Sequence, residues 1–348
     1  MPTSRLLRDL QSPNPTLIPA PLAGYTDHPF RKILRRNGCD HVFMAWVSSH
    51  GMDRNPEYLA KIKNDFADGD ETNVQIFGYD PTLMAQAAEI LAGIGAAQID
   101  INMGCSVKKV WQAKTGSLLL TDLDNARAIL KAVAGAVDVP VTLKTRIGWC
   151  SGGDEGLRLC LAAPYFGIAA VTLHARYAKQ GFTGTANWEH IRFLKERLTI
   201  PVTANGDVTD GPTARACFEA TGANGIMIGR AQMGNPWVFG EMKHYLATGT
   251  VAPEPSWEAR IDTAIDHLQY MVDFYGDTQG TREFRKHLVK YLIGIPHSAA
   301  IKQRVLELLT SDDVFAVLRE YRQRIVDFSP DTQPEPSPTP VVAELALP

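Results

Sequence analysis

Short apolar segments alternate with amphipathic stretches along the first two thirds of the chain. Eight of the apolar segments have the length of strands, at 17–22, 41–46, 73–77, 98–102, 139–144, 170–174, 200–205 and 225–228. Four stretches between them place apolar residues at helical spacing, at 81–94, 123–137, 188–198 and 211–220. Buried strands and amphipathic helices produce these two patterns. Eight strands that alternate with helices over about 240 residues predict an α/β protein, a (β/α)8 TIM barrel.

The alternation stops near residue 250. Pro253 and Pro255 indicate a linker, and four helix-like stretches follow it, at 256–275, 281–293, 298–309 and 312–327. They predict a small C-terminal helical bundle domain. From Ser329 onward the chain is rich in proline, which is typical of disorder. We therefore expect a barrel domain over 1–245, a helical domain over 246–328 and a disordered tail over 329–348.

A doubly wound parallel sheet is the alternative fold. Such a sheet carries a glycine-rich dinucleotide-binding sequence after its first strand. The first predicted strand of this chain ends in Pro21-Leu22-Ala23-Gly24, which is not that sequence. The barrel is therefore the preferred fold.

The composition is that of a soluble protein with a large core. The chain has 348 residues, of which 45% are hydrophobic and 21% are charged. No segment approaches the roughly 18 apolar residues of a membrane span, and residues 1–9 lack the apolar region of a signal peptide. The five cysteines show no CxxC pair and no cluster with histidine, which argues against a disulfide framework or a zinc site. We expect a reduced, cytoplasmic protein with no metal site.

The formal net charge of −3 gives no overall argument for binding nucleic acid, because proteins that do so usually carry a basic surface. A local argument exists in the predicted helical domain. Residues 280–325 contain nine lysines and arginines against five acidic residues, a balance of +4. A solvated helix face is the alternative interpretation of such a cluster.

Polar residues fall where the predicted strands end, which is the side on which barrel enzymes build their active sites. Cys105 follows the fourth strand in the run DINMGCSVKKVWQAKTGS, residues 100–117. Glycine-containing loops follow the seventh and eighth strands, at Asn205-Gly206 and Gly229-Arg230. Small residues, free N–H groups and a cation are what a phosphate group needs. The pattern predicts a thiol in the active site and a phosphate-bearing cofactor.

The run at 100–117 resembles the signature of the tRNA-dihydrouridine synthases. It has Asn-x-Gly-Cys at 102–105, then a basic stretch, then Gly-Ser at 116–117. Seven further segments are similar to segments of that family in the same order: PAPLAGYTDHPFR at 19–31, VQIFG at 74–78, VTLKTRIGW at 141–149, HARYAKQGFTG at 174–184, IPVTANGD at 200–207, GIMIGRAQMGNPW at 225–237 and RxxRKH at 282–287. The likeness is strongest to the bacterial B-type subgroup and covers roughly residues 16–325.

The resemblance implies an enzyme that reduces uridines in tRNA to 5,6-dihydrouridine with FMN and NADPH. It implies that Cys105 protonates C5 of the uracil while a hydride is added at C6. The residues that it places around FMN are Pro21, Leu22, Ala23, Gln75, Lys144, His174, Arg176, Asn205, Gly206, Asp207, Gly229 and Arg230. The residues that it places against the substrate are Asn102, Lys108, Lys109, Arg282, Arg285 and Lys286. We expect tRNA as the partner of a monomeric protein that has no protein partner.

Several positions depart from the family pattern on the substrate side. Ala45 stands where an acidic residue is common, Ser106 replaces the proline after the cysteine, and Trp111 replaces a small polar residue. Two alternatives therefore stay open. One is an FMN barrel oxidoreductase that acts on a small molecule, and the other is a divergent RNA-binding paralogue with little activity.

Overall fold

The computed structural model describes residues 3–66 and 71–326, so the tail predicted to be disordered at 329–348 lies outside the described residues. The chain divides into two compact units, Met1–Pro253 and Glu254–Pro348. We call the first the barrel unit and the second the helical unit. The division falls in the linker that the two prolines indicate.

Eight parallel strands form one sheet in the barrel unit. They are β1 Thr16–Pro19, β2 Phe43–Ser48, β3 Thr72–Phe77, β4 Ala96–Met103, β5 Val141–Arg146, β6 Ala170–His174, β7 Val202–Asn205 and β8 Gly225–Ile228. The order of the strands across the sheet is β1-β8-β7-β6-β5-β4-β3-β2. From β2 to β8, strands that are consecutive in the chain are therefore adjacent in the sheet, and β1 pairs with β8. The sheet curls with helices around it, and the predicted (β/α)8 TIM barrel is confirmed.

Eleven α-helices of the described barrel unit lie before, between and after the strands. They are α1 Arg5–Leu10, α2 His28–Arg36, α3 Ser49–Arg54, α4 Pro56–Asp65, α5 Pro81–Gly93, α6 Lys108–Gln112, α7 Leu123–Ala136, α8 Glu155–Ala162, α9 Glu189–Lys195, α10 Gly211–Thr221 and α11 Val238–Thr248. Capping residues in the sequence set where a helix begins. Asp80, for example, caps the start of α5 by accepting from the backbone N–H groups of Thr82 and Leu83. The prediction of a helix over 188–198 was too long, since α9 spans seven residues.

The two faces of the strands have opposite chemistry. On β4, Ile99 and Ile101 belong to the apolar core shared with the helices, whereas the alternating Asp100 and Asn102 make polar contacts with the neighbouring strands. Side chains alternate between the faces of a strand, so the apolar set faces the helices and the polar set faces the barrel interior. The interior is therefore lined with polar groups before any ligand is considered.

Helix α1 closes the end of the barrel where the strands begin. Leu6, Leu7 and Leu10 form one apolar cluster with residues at the starts of strands, Phe43 and Ala170 among them. Gly225 of β8 permits this packing, since a Cβ there would lie 2.7 Å from Leu10 Cδ2. Any ligand of the barrel must therefore enter from the opposite end, where the strands finish.

The helical unit contains four described helices, as predicted. They are α12 Trp257–Tyr275, α13 Asp277–Tyr291, α14 Ser298–Glu307 and α15 Ser311–Val326. Gly280 lets α13 approach α12 closely, because a Cβ at this position would lie 2.6 Å from the Met271 carbonyl oxygen. Among the described residues of the chain, no helix combines the length and the apolar character needed to cross a membrane.

Candidate active site

Polar side chains of adjacent strands meet where the strands end. The ladders place Asn102 of β4 opposite Lys144 of β5. They place His174 of β6 opposite Arg146 on one side and Asn205 on the other. Residues that are distant in sequence thus meet in two neighbouring registers of the barrel interior, at the end that α1 leaves open.

The N–H side of Cys105 is held by Asn102. Asn102 Oδ1 accepts from the backbone N–H groups of Gly104 at 3.1 Å and of Cys105 at 3.0 Å. Its amide nitrogen donates to Gln75 Oε1 at 2.7 Å, and Gln75 Nε2 donates to Asp100 Oδ2 at 2.6 Å. The turn that carries the thiol is therefore tied through two buried amides to the carboxylate beneath it.

The carbonyl side of Cys105 is held by Ser117. The backbone N–H and the Oγ of Ser117 both donate to the Cys105 carbonyl oxygen, each at 2.9 Å. Gly116 makes this approach possible, since its φ is +63° and a Cβ there would lie 2.7 Å from the same oxygen. A glycine is required on both counts.

The Cys105 thiol is partly buried and stays protonated at neutral pH. Burial raises the pKa of this thiol, while a backbone hydrogen bond at Val107 and the charges of Arg146 and Lys144 act in the opposite direction. The net shift is upward. The group is therefore suited to give a proton rather than to act as a standing thiolate.

Lys144 carries a charge that is easily lost. Burial, and next the charge of Arg146, lower the pKa of its ammonium to about 8, although Asp100 and Cys105 oppose this shift. Lys144 Nζ donates to Asn205 Oδ1 at 3.0 Å, and the Asn205 amide nitrogen donates to the Met227 carbonyl oxygen at 2.8 Å. Asn205 thus points its one oxygen at the lysine.

His174 is a neutral ring surrounded by cations. Burial first, and then the charges of Arg146, Lys144, Arg176 and Arg230, lower the pKa of the imidazole well below its usual value. Four cations close enough to act on one ring make this part of the interior strongly positive. Such a site favours an anionic ligand.

The loops after β6 and β7 form a cradle of backbone and guanidinium groups. Arg176 donates through Nη2 to the Gly184 carbonyl oxygen at 2.6 Å and to Asp207 Oδ2 at 2.8 Å. Its Nη1 is buried and has no hydrogen-bond partner within the described part of the chain. Arg230 approaches Asp207 at 3.9 Å, and no atom lies within 4 Å of the position that a Cβ of Gly229 would take.

A model of the dihydrouridine synthase (Dus) family matches residues 18–326. This chain belongs to the dihydrouridine synthase family. It is similar to the tRNA-dihydrouridine synthase B of Xanthomonas campestris pv. campestris, with 41% identity over 317 residues that cover 90% of this chain and 94% of the relative. It is 44% identical over 282 residues to the tRNA-dihydrouridine synthase B of Yersinia pestis, covering 79% and 86%. The predicted family and the prediction of an enzyme are confirmed.

A solved structure shares the fold of this dihydrouridine synthase at low identity. Histamine dehydrogenase from Rhizobium sp. 4-9 superposes with a TM-score of 0.51 and 12% identity, covering 90% of this chain and 62% of that one. At this identity the similarity concerns the barrel architecture alone.

The other predicted residues of the dihydrouridine synthase fall in three places. Pro21, Leu22 and Ala23 form the loop after β1, where the Leu22 N–H donates to Thr26 Oγ1 at 3.1 Å. Lys108 and Lys109 are exposed at the start of α6. Gly206 has a φ of +121°, and a Cβ there would lie 3.1 Å from the His174 ring, so only glycine fits against the histidine.

The basic cluster of the helical unit is less uniform than its sequence indicates. Arg282 is exposed on α13. Arg285 Nη2 donates to the Leu308 carbonyl oxygen at 2.5 Å, and Lys286 pairs with Glu283 at 2.6 Å. Of these three predicted tRNA contacts, two therefore already have partners inside the unit.

Arg146 is a central residue of this dihydrouridine synthase for which the sequence predicted no role. It is buried, and it donates to the carbonyl oxygens of Gly104 at 2.8 Å, of Tyr177 at 3.0 Å and of Gly181 at 2.8 Å. It also donates to Ser106 Oγ at 3.1 Å. A basic residue two positions after Lys144, on the same face of β5, is the signal that was available.

Asp100 is the second such residue. Its Oδ1 accepts from Thr142 Oγ1 at 2.6 Å and its Oδ2 from Gln75, so both oxygens are occupied beneath the active site. Burial raises the pKa of this carboxyl, while the two hydrogen bonds and Lys144 lower it. The alternation of polar residues along 98–102 in an otherwise buried strand is the signal that pointed to it.

Proposed function

We propose that this chain reduces uridines in tRNA to 5,6-dihydrouridine, with FMN as its bound cofactor and NADPH as the reductant. The observation that carries the proposal is Cys105. Its thiol is kept protonated by burial, its N–H and carbonyl groups are both fixed by side chains, and Lys144 is close enough to act on it. A thiol held in this way is a general acid with a defined direction.

The residues of the loops after β6, β7 and β8 fit the phosphate of FMN. A buried donor of Arg176 lacks a partner within the described chain, and the space beside Gly229 is open. Arg176 and Arg230 both face Asp207, so two cations share one carboxylate. A phosphate group would accept hydrogen bonds from such donors and balance the remaining charge.

Lys144, Gln75 and His174 would hold the ring system of the cofactor. When bound, reduced FMN supplies a hydride for C6 of the uracil, having received its electrons from NADPH. Lys144, with its pKa of about 8, is mostly charged at neutral pH and would stabilise negative charge on the adjacent ring edge. His174 is neutral there, so it can accept as well as donate a hydrogen bond.

Cys105 would complete the reduction. The C5–C6 π bond of the uracil is lost, a C–H bond forms at C6, and the Cys105 S–H bond breaks as its proton moves to C5. The thiolate that remains lies within the electrostatic reach of Arg146 and Lys144, which lower the energy of that charge. A proton from solvent then restores the thiol. Atoms and charge balance over the cycle.

The helical unit would contribute to tRNA binding, chiefly through Arg282, because Arg285 and Lys286 are engaged within the unit. The exposed Lys108 and Lys109 of α6 would add contacts beside the cysteine loop. We expect Arg282→Ala to reduce the slope of log affinity against log salt by roughly one unit. Arg127→Ala, at a partly exposed arginine on α7, serves as the control. An unchanged slope for Arg282→Ala would show that Arg282 is a solvated side chain that does not contact the tRNA phosphates.

Nucleoside analysis tests the function directly. Total RNA from a strain that lacks the gene should lose dihydrouridine at defined positions of its tRNA, and the intact gene should restore it. A gene carrying Cys105→Ala should not. We expect the protein to act as a cytoplasmic monomer. Unchanged dihydrouridine, together with a purified protein that binds FMN, would favour a small-molecule oxidoreductase; protein that binds tRNA without FMN would favour an inactive paralogue.

A further inference from the structure

Trp111 is joined to Cys105 through a single side chain. Its indole Nε1 donates to Ser117 Oγ at 2.9 Å, and Ser117 Oγ donates to the Cys105 carbonyl oxygen at 2.9 Å. An indole N–H can only donate, so the serine oxygen must accept from Trp111. The hydroxyl has one proton, and that proton is left for the Cys105 carbonyl. The Trp111–Ser117 chain therefore has a fixed direction, and it ends beside the thiol.

The ring of Trp111 is itself held in place. It packs on Trp149 with the ring centroids 4.9 Å apart. The Trp149 N–H donates to Glu155 Oε2 at 3.0 Å, and the Trp149 carbonyl oxygen accepts from the Lys179 N–H at 2.9 Å. The indole donor is thus anchored to the loop after β5, which is a different loop from the one that carries Cys105.

The two sides of the Cys105 backbone depend on this arrangement unequally. The N–H side relies on Asn102, whose other contacts reach down the barrel interior to buried groups. The carbonyl side relies on two donors of Ser117, its backbone N–H and its hydroxyl, and only the hydroxyl would be free to rotate if no donor occupied its lone pair. Hydrogen bonds in a chain also strengthen one another. The orientation of the carbonyl, and with it the direction of the thiol, is therefore sensitive to Trp111.

We propose that Trp111 is a positioning residue for Cys105, which acts through Ser117 to fix the direction in which the thiol delivers its proton. The proposal rests on the proposed function, since it assigns a purpose to the orientation of a catalytic thiol. It also accounts for a tryptophan at a position where the family pattern has a small polar residue.

Trp111→Phe removes the indole N–H and keeps an aromatic ring against Trp149. In rapid-mixing experiments on the FMN-loaded protein, we expect flavin reoxidation at saturating tRNA to slow by about tenfold, because small errors of orientation are costly. The affinity for tRNA and the rate of flavin reduction by NADPH should stay within about twofold. Trp257→Phe, which removes an indole N–H at the start of α12, should match wild type in all three measurements.

A double-mutant cycle separates positioning from a general loss of stability. Ser117→Ala and the double variant Trp111→Phe/Ser117→Ala should have equal reoxidation rates, because Trp111 acts only through the serine. If the rate losses caused by the two single substitutions multiply in the double variant, the proposal is overturned. A wild-type reoxidation rate in Trp111→Phe would overturn it too.

Alkylation of Cys105 gives a readout that does not depend on turnover. In a Cys150→Ala background, which removes the exposed cysteine, iodoacetamide should modify Cys105 several-fold faster in Trp111→Phe than in the protein with Trp111. Equal alkylation rates would overturn the proposal. If the wild-type protein forms no dihydrouridine, the proposed function fails, while the alkylation comparison still decides whether Trp111 orients the thiol.

Discussion

The two sides of the active site differ in how many of their polar atoms already have partners. Around Cys105, the side chains of Asn102, Gln75 and Ser117 hydrogen-bond with one another or with the backbone. On the side of the loops after β6, β7 and β8, Arg176 Nη1 is buried without a partner among the described residues, and the space beside Gly229 is open. On the cysteine side these polar groups already have hydrogen-bond partners. On the other side a buried donor has none among the described residues, and there is open space for a ligand.

This difference indicates how each side works. Groups that are already paired are held in one arrangement, which suits a thiol that must deliver a proton in a fixed direction. An unpaired buried donor raises the free energy of the protein until something accepts from it. The phosphate side, by which we mean the Arg176, Asp207 and Arg230 region where we propose that the phosphate of FMN binds, would therefore gain more from its ligand than the cysteine side. The comparison predicts separable effects of substitutions on the two sides.

The largest effect should come from Cys105→Ala. Loss of the general acid should slow flavin reoxidation by tRNA by ~10²-fold or more, because the proton then has no positioned donor. FMN content and reduction by NADPH should be unchanged, since the Cys105 thiol is not among the groups proposed to hold FMN. Rapid mixing of reduced protein with tRNA measures this. Cys150→Ala, at an exposed cysteine, is the control and should behave as wild type. Equal reoxidation rates in the two variants would remove Cys105 from the mechanism.

Arg230→Met should have the next largest effect, and on cofactor binding instead of turnover. Loss of one cation from the phosphate side should weaken FMN about tenfold, or about 1.4 kcal/mol. Arg197→Met is a matched control. The two side chains are similarly exposed, at 44% and 47%, and each has its guanidinium over a phenylalanine ring and near an acidic residue. Titration of the FMN-free protein with FMN, followed by fluorescence quenching, gives both affinities. Equal weakening by both substitutions would show that the effect is not local.

The smallest expected effect is the pH dependence of the contribution that Lys144 makes to the free energy of unfolding. The lowered pKa of about 8 lies below the value of about 10.4 for an unfolded lysine. Between these values the unfolded chain binds more protons, so the contribution of Lys144 to the free energy of unfolding rises with pH. In FMN-free Cys105→Ala protein, raising the pH from 7.5 to 9.5 should therefore stabilise the lysine form relative to Lys144→Met. The expected shift in urea midpoint is on the order of a few tenths of a molar.

A relative shift of zero or of opposite sign would contradict this account of Lys144. The Cys105→Ala background is needed because the thiol is one of the groups that act on the pKa of the lysine. Repeating the measurement with FMN bound sharpens the comparison between the sides. A bound anion near the ammonium raises its pKa, so the rise in stability should move to higher pH.

Much of the architecture was predictable from local pattern. Buried parallel strands are short and apolar, so all eight appeared in the sequence, although their ends were less certain. The first strand was predicted to reach Leu22, but β1 ends at Pro19. The backbone N–H of Ala20 still donates to the Ile228 carbonyl oxygen at 2.8 Å, and Pro21 has no N–H with which to continue the ladder. Helix α1 was not predicted, since six residues are too few to show a helical period.

Counting charges along the sequence predicted the roles of residues less well than locating the ends of the strands. The sequence showed a cluster of cations at 282–286, yet it could not show that Arg285 binds the Leu308 carbonyl oxygen or that Lys286 pairs with Glu283. Likewise, Arg146 is one basic residue among many in the sequence. Its contacts with Gly104 and Gly181 join the loops after β4 and β6, which come together only in the folded sheet.

The sequence by itself determined which residues reach the end of the barrel. Period-two alternation put Asp100 and Asn102 on one face of a buried strand, and the glycine at 116 allowed the close approach of the chain to the Cys105 carbonyl oxygen. What only the tertiary structure decided is which of these groups are already satisfied. Hydrogen bonds such as those of Trp111 to Ser117 and of Lys144 to Asn205 join residues by direction and distance in space. Spacing along a chain carries neither quantity, so the contrast between a completed cysteine side and an open phosphate side emerges only in the folded protein.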